Sequence, residues 1–104
     1  MTVLNTRELE RAARKHHDAA DWLATWNAIA EAAIWRSIGD VRRDFASADG
    51  VPLKGNVVIT VFNVKGNEYR LMTIVDYLRQ SVYVLEMMTH AEYSKQKQWK
   101  RRYI

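Results

Sequence analysis

The sequence predicts an α+β fold, in which two to three N-terminal helices pack on a small, mostly antiparallel, twisted sheet. Three observations carry this expectation. Apolar residues recur at helical spacing through the first half of the chain. After a cluster from Gly50 to Gly55 that holds the only Pro and two of the four Gly, apolar residues follow a strand pattern. The strand-like segments then succeed one another with short connections, which implies an antiparallel meander.

Val3 and Leu4 suit a short opening strand. Asn5 reads as a helix N-cap, and Glu8, three residues later, would complete a capping box. That helix runs to about His16, with Leu9, Ala12, Ala13 and His16 on one face. Asp18 and Asp21 mark a second helix start. From there Trp22, Trp26, Ile29 and Ala33, beside Leu23, Ala30 and Ile34, form a broad apolar stripe at 3.6-residue spacing, the mark of a core-facing helix. Ser37 with Asp40 predicts a third, short helix over residues 41–45.

The segment 57–64 is dense in β-formers and reads as a strand buried on both faces. Lys65-Gly66-Asn67 is the turn after it, because Gly and Asn tolerate positive φ. Residues 69–77 and 82–89 form the next two strands, joined by a turn at Arg79-Gln80-Ser81. Residues 90–101 read as a short helix or an ordered tail. The helices must cover one sheet face, and the other is expected to be wholly or partly free for a ligand.

At 104 residues, with 48% hydrophobic and 27% charged residues, the chain is expected to be one globular domain, 1–104. It has no cysteine, so disulfide frameworks, thiol nucleophiles and cysteine-based metal sites are excluded. No apolar run approaches the ~18 residues of a membrane span. A soluble, cytoplasmic protein without a membrane partner is expected. Charge divides unevenly. Residues 1–49 carry 7 Lys/Arg and 8 Asp/Glu, a net of −1, whereas residues 50–104 carry 9 Lys/Arg and 4 Asp/Glu, a net of +5. Lys95, Lys97, Lys100, Arg101 and Arg102 follow one another with no acidic residue between them. This one-sided excess favours a polyanion as partner, against a plain solvated tail.

Two segments bring chemically active side chains to the sheet. In 61–71, Lys65 lies at a hairpin tip, and Arg70 is placed on a strand face with Met72, Ile74 and Asp76. A guanidinium there needs either a partner, such as Asp76 or Glu86, or an anionic ligand. In 88–95, His90, Glu92 and Tyr93 cluster just beyond a strand end. They offer an imidazole, a carboxylate and a phenol, each able to move protons. A Tyr93 beside Lys95 and Arg70 would have its phenolate favoured by positive charge. Alternatively His90 caps a helix, Tyr93 packs in the core and Glu92 is solvated. No metal-ligand spacing is present: His16 and His17 are adjacent and point to different helix faces.

In order, DWLATWNAIAEAAIW (21–35), DVRRDFASAD (40–49), VFNVKGNEYRL (61–71) and THAEYSK (89–95) resemble the HigB family of type II toxins, within the RelE group. The resemblance runs from about Asp18 to Lys95. It implies a RelE-like fold and an endoribonuclease that cuts mRNA, typically on the ribosome, without metal or other cofactor. It also implies neutralisation by a HigA-like helix-turn-helix antitoxin. On this basis Arg70, His90 and Tyr93 are the expected catalytic residues. Arg70 and Lys65 would stabilise the phosphate, and His90 and Tyr93 would be the proton-transfer pair. Lys65, Asn67, Lys95 and Lys54 are the expected substrate-binding residues. Two positions depart from the family pattern. Residues 57–60 are apolar where relatives often place a basic or polar residue, so that substrate contact is either missing or supplied by Lys54 instead. Ser94 stands where relatives usually have an aspartate. The competing functions are a non-catalytic RNA-binding module and a degenerate toxin that keeps only its antitoxin contacts.

Overall fold

The computed structural model describes residues 1–103. A five-stranded mixed sheet of order β1-β5-β4-β3-β2 forms its centre, built from β1 (Thr2–Leu4), β2 (Asp49–Pro52), β3 (Val58–Val64), β4 (Tyr69–Asp76) and β5 (Ser81–Thr89). The last four pair antiparallel in sequence, whereas β1 lies parallel to β5, with Thr2 opposite Ser81. Helices α1 (Thr6–Lys15), α2 (Ala20–Ala32) and α3 (Ile38–Asp44) precede β2, and two short helices, α4 (His90–Ser94) and α5 (Gln96–Lys100), follow β5.

The main core lies between α1–α3 and one sheet face. Leu9, Leu23, Trp26, Ala30 and Val41 meet Phe62, Val64, Leu71, Val82 and Val84 there. Phe62 is its aromatic hub. Trp26 meets it edge-on at 5.4 Å, Phe45 at 5.3 Å, and Trp35 stacks at 6.2 Å. Each such ring contributes about 0.5–1.5 kcal/mol beyond its area burial. The apolar stripe of residues 22–34 thus faces the core, with one correction at its end. The helix stops at Ala32, and Ile34 lies beyond it, 68% exposed.

Three local expectations are corrected. Asn5 does not cap α1 through its side chain, and Glu8 closes no capping box. The Asn5 amide donates instead to the Val84 carbonyl at 2.8 Å, which fixes the start of α1 to β5. The cluster around Gly50 is not only a loop, because Asp49–Pro52 pairs with β3 as an edge strand. Pro52 fits there because it ends the outermost strand, where its missing N–H breaks no ladder. The hairpin between β3 and β4 places its positive φ values at Lys65 (51°) and Gly66 (67°) rather than at Asn67. The Ser37 cap is as expected, its hydroxyl accepting the Asp40 backbone N–H.

The second sheet face is not left bare. Val51, Ile59, Val61, Met72 and Met88 bury themselves against Trp99 of α5 in a smaller core. β3 is therefore covered on both sides from Ile59 to Phe62, as its composition predicts, although Val58 is 48% exposed. A bulge beside Met72/Thr73 lets Met72 oppose Glu86 while Thr73 opposes Val84. No helix among the described residues is long and apolar enough to cross a membrane.

Candidate active site

The β3–β4 hairpin and α4 bring Asn67, Arg70 and Tyr93 together at one end of the sheet. Lys65 and Gly66, both at positive φ, open the four-residue turn 65–68 between the paired Val64 and Tyr69. Lys65 is left exposed at the tip, where its Nζ lies 3.4 Å from Asp18 Oδ2. Tyr69, which opens β4, donates its hydroxyl to the same carboxylate at 2.8 and 2.9 Å and packs its ring on His16. Asp18 thus ties the hairpin to the segment between α1 and α2. The Tyr69 hydrogen bond, with Lys65 beside it, holds the Asp18 carboxyl below its ordinary range, and the same bond raises the Tyr69 phenol.

Arg70 follows, between Asn63 on β3 and Met88 on β5. Strand alternation turns Leu71 toward the helices, and Arg70 with Met72 toward the opposite face. Arg70 is only 8% exposed. Its Nη2 donates to Asn67 Oδ1 at 2.5 Å and its Nη1 to the Tyr69 carbonyl at 3.0 Å, while Cζ lies 5.6 Å from the centre of the Tyr93 ring. Neither ion pair that the strand pattern allows is made. Asp76 instead accepts the backbone N–H groups of Leu78 and Arg79 and pairs with Arg79. Glu86 is engaged by Arg102 at 2.9 Å and by the Tyr103 hydroxyl. Among the described residues, Arg70 meets no carboxylate.

The helix that carries His90 and Tyr93 starts with a capping box. Thr89 accepts the Glu92 N–H at 3.1 Å, and Glu92 accepts the Thr89 N–H at 2.9 Å. Thr89, not His90, is therefore the cap. These hydrogen bonds hold Glu92 below its ordinary pKa. The His90 backbone N–H donates to the Glu68 carbonyl at 2.9 Å, which docks α4 on the β3–β4 hairpin. His90 is exposed, and Tyr93, three residues on, shares its helix face. Tyr93 is half-buried and stacks on Trp99 at 5.4 Å and 17°. Here the expected phenolate is overturned. Burial pushes the Tyr93 phenol above its ordinary value, the charge of Asp49 adds to this, and Arg70 opposes it only in part.

Arg70, Asn67 and Tyr93 are thus in one cluster, with Lys65 on the same hairpin but held by Asp18. Lys95, between α4 and α5, and Lys54, after β2, are both exposed, and no described hydrogen bond or ion pair links either to that cluster. In the sequence Asp18 reads only as a helix start, and Tyr69 and Trp99 carry no functional signal of their own. The spacing of Trp99 and Tyr103 was the available signal for the latter: two aromatics four residues apart on a helical turn form one face.

A family model described as the RelE-like toxic component of a toxin-antitoxin system, HigB_toxin, matches residues 19–96. The chain belongs to the HigB family of RelE-like toxins. A relative named mRNA interferase toxin HigB, from Escherichia coli K12, is 31% identical over 94 residues, which span 89% of this chain and 88% of the relative. Proteins named mRNA interferase HigB from Escherichia coli O157:H7 and Shigella flexneri match to the same extent. The α+β architecture is that of a RelE-like toxin. The HigB match takes in Arg70, His90 and Tyr93, whereas Asp18 lies one residue before it and Trp99 three residues after it.

Proposed function

We propose that this HigB-family chain is an mRNA interferase, an endoribonuclease that works in the cytoplasm as a single domain and is silenced by a HigA-like helix-turn-helix antitoxin. The observation that carries this is Arg70: a guanidinium 8% exposed, hydrogen-bonded only to neutral oxygens and facing a half-buried tyrosine. A buried cation without a counter-ion is costly in the free protein and suits a ligand that brings the negative charge. The fork of donors matches a phosphate.

RNA supplies its own nucleophile, the 2′-hydroxyl. In the proposed reaction His90 takes the proton from that hydroxyl, and the 2′-oxygen forms a bond to the adjacent phosphorus. Arg70 stabilises the charge that develops on the non-bridging oxygens. Tyr93 gives its proton to the 5′-oxygen as the phosphorus–oxygen bond breaks, which leaves a cyclic phosphate and a 5′-hydroxyl. The Tyr93 phenol keeps its proton at neutral pH, as an acid must; burial makes it a weaker acid than a free tyrosine, and the Arg70 charge beside it offsets this in part. Asn67 orients Arg70. Lys65, Lys95 and Lys54 contact the RNA backbone, and Lys65 exchanges Asp18 for a phosphate. The ribosome is the proposed place of cleavage, with the basic C-terminal half favouring its RNA.

The test is induced expression of the wild-type chain and of Tyr93→Ala in a bacterium, with mRNA ends mapped within minutes. The expected result is growth arrest and new ends inside coding regions for the wild type alone. Two soluble, folded chains that leave growth and mRNA unchanged would overturn the catalytic role.

A further inference from the structure

The C-terminal segment carries most of the chain's basic run, which in sequence reads as a tail for RNA. Its aromatic residues do something else. Trp99 is 2% exposed, so its indole is not available to a nucleic acid base. It stacks nearly parallel on Tyr93 and donates its Nε1–H to the Tyr93 carbonyl at 2.8 Å. Tyr103 meets Trp99 edge-on at 6.5 Å. The end of the segment is then tied back to the sheet. Glu86 of β5 accepts from Arg102 and from the Tyr103 hydroxyl. The Tyr93 ring is thus held by Trp99 while it meets the Arg70 guanidinium. Residues 97–103 lie beyond the stretch that matches the family model.

We infer that Trp99 is a positioning residue for the candidate site, and that the contacts of Arg102 and Tyr103 with Glu86 form a latch that keeps it in place. The inference rests on the placement of Tyr93 in the site proposed above. α4 has five residues and α5 has five, too few to hold a side chain in one orientation by their own helical stability. The orientation of the Tyr93 phenol must therefore come from tertiary contact, and within the smaller core that Tyr93 packs against, Trp99 supplies the ring that stacks on it. A proton donor displaced by about 1 Å loses up to about a hundredfold in rate, so the tail influences catalysis without touching RNA through its rings.

The experiment uses the full chain and four variants: Trp99→Ala, Trp99→Phe, Glu86→Ala and Tyr93→Phe. Cleavage is measured on mRNA-programmed ribosomes. In parallel, nuclear Overhauser contacts between the Tyr93 ring protons and the Arg70 side chain are recorded without RNA. In folded Trp99→Ala, kcat should fall by about tenfold to a hundredfold with KM nearly unchanged, and the Tyr93–Arg70 contacts should be lost. Trp99→Phe keeps a ring for stacking and should restore both. Glu86→Ala releases the latch on the sheet surface. It should weaken the same contacts and lower kcat even if Trp99→Ala fails to fold. Persistence of the Tyr93–Arg70 contacts in folded Trp99→Ala, or in Glu86→Ala where the former does not fold, would overturn the inference. So would a loss confined to KM. A wild type that does not cut, or a Tyr93→Phe chain that cuts as well as the wild type, would instead defeat the proposed function. The NMR contacts would still decide the positioning.

Discussion

Replacing Arg70 by Met separates the two things a buried cation can do. The side chain keeps its approximate length and loses its charge. In the folded protein the change removes two hydrogen bonds, to Asn67 Oδ1 and to the Tyr69 carbonyl, and one contact with the Tyr93 ring. A hydrogen bond from a charged donor contributes about 1.5–3 kcal/mol, and a cation over a ring about 0.5–2 kcal/mol. Against these stands the desolvation of a guanidinium that is 8% exposed and meets no carboxylate among the described residues; such burial costs several kcal/mol per ion. The two sides nearly cancel, so Arg70→Met should stay within about 1 kcal/mol of wild-type stability. In a domain of this size that corresponds to a melting shift of about 4–8 °C or less. Cleavage should respond very differently. Loss of one preorganised group that stabilises developing charge costs about 10²–10³ in rate. Thermal unfolding by circular dichroism and cleavage of mRNA on ribosomes read the two effects on one preparation. A stability loss of about 3–5 kcal/mol, the size seen when a buried pair is broken, would show that Arg70 is a structural cation with a partner. Undiminished cleavage would remove it from the site.

Three further outcomes follow from individual contacts. Tyr93→Phe keeps the stack on Trp99 and removes only the proton. It should slow cleavage by about 10²-fold or more with little change in melting temperature; because burial raises the phenol's pKa, the wild-type rate should show no tyrosine-linked loss at neutral pH. Asp18→Asn tests the hairpin tie by denaturant unfolding across pH. The Asp18 carboxyl is lowered in the fold from 3.8, so its stabilising contribution is present above that value. It is lost as pH falls through the lower folded value. The wild type should therefore lead the variant at neutral pH and lose that lead in acid; a lead that grows toward acid would refute the tie. Trp26→Ala should cost about 3–5 kcal/mol in denaturant unfolding, since the ring is fully buried against Phe62. Trp26→Phe should cost clearly less, because the indole N–H it removes is buried without a partner.

Much of the fold was legible because it is local. The stripe of Trp22, Leu23, Trp26 and Ala30 sets α2, the Ser37 hydroxyl caps α3, and the run of β-formers around Ile59 sets β3. These signals depend on residues a few positions apart, and the physics that reads them is the same in any fold. The resemblance in 61–71 and 89–95 likewise pointed to Arg70 and Tyr93 before any geometry was known, and the structure brings these two residues into contact.

The expectations that failed depend on partners far along the chain. Asn5 has the right chemistry to cap α1, but its amide serves Val84, 79 positions away. Gly50 and Pro52 look like a loop until β3 offers them an edge to pair with. Arg70 was given Asp76 or Glu86 as possible counter-ions, yet turn formation takes the first and the C-terminal residues take the second. Tyr93 was expected to lose its proton easily beside positive charge. Trp99 buries its ring instead, and desolvation outweighs Arg70. By itself the sequence determined the helices, the central strands, the family and the kinds of side chain at the site, because periodicity and motif are properties of neighbouring residues. Only the tertiary structure decided which carboxylates reach which cations and which polar groups leave water, because those outcomes are set by distance and burial across the whole chain.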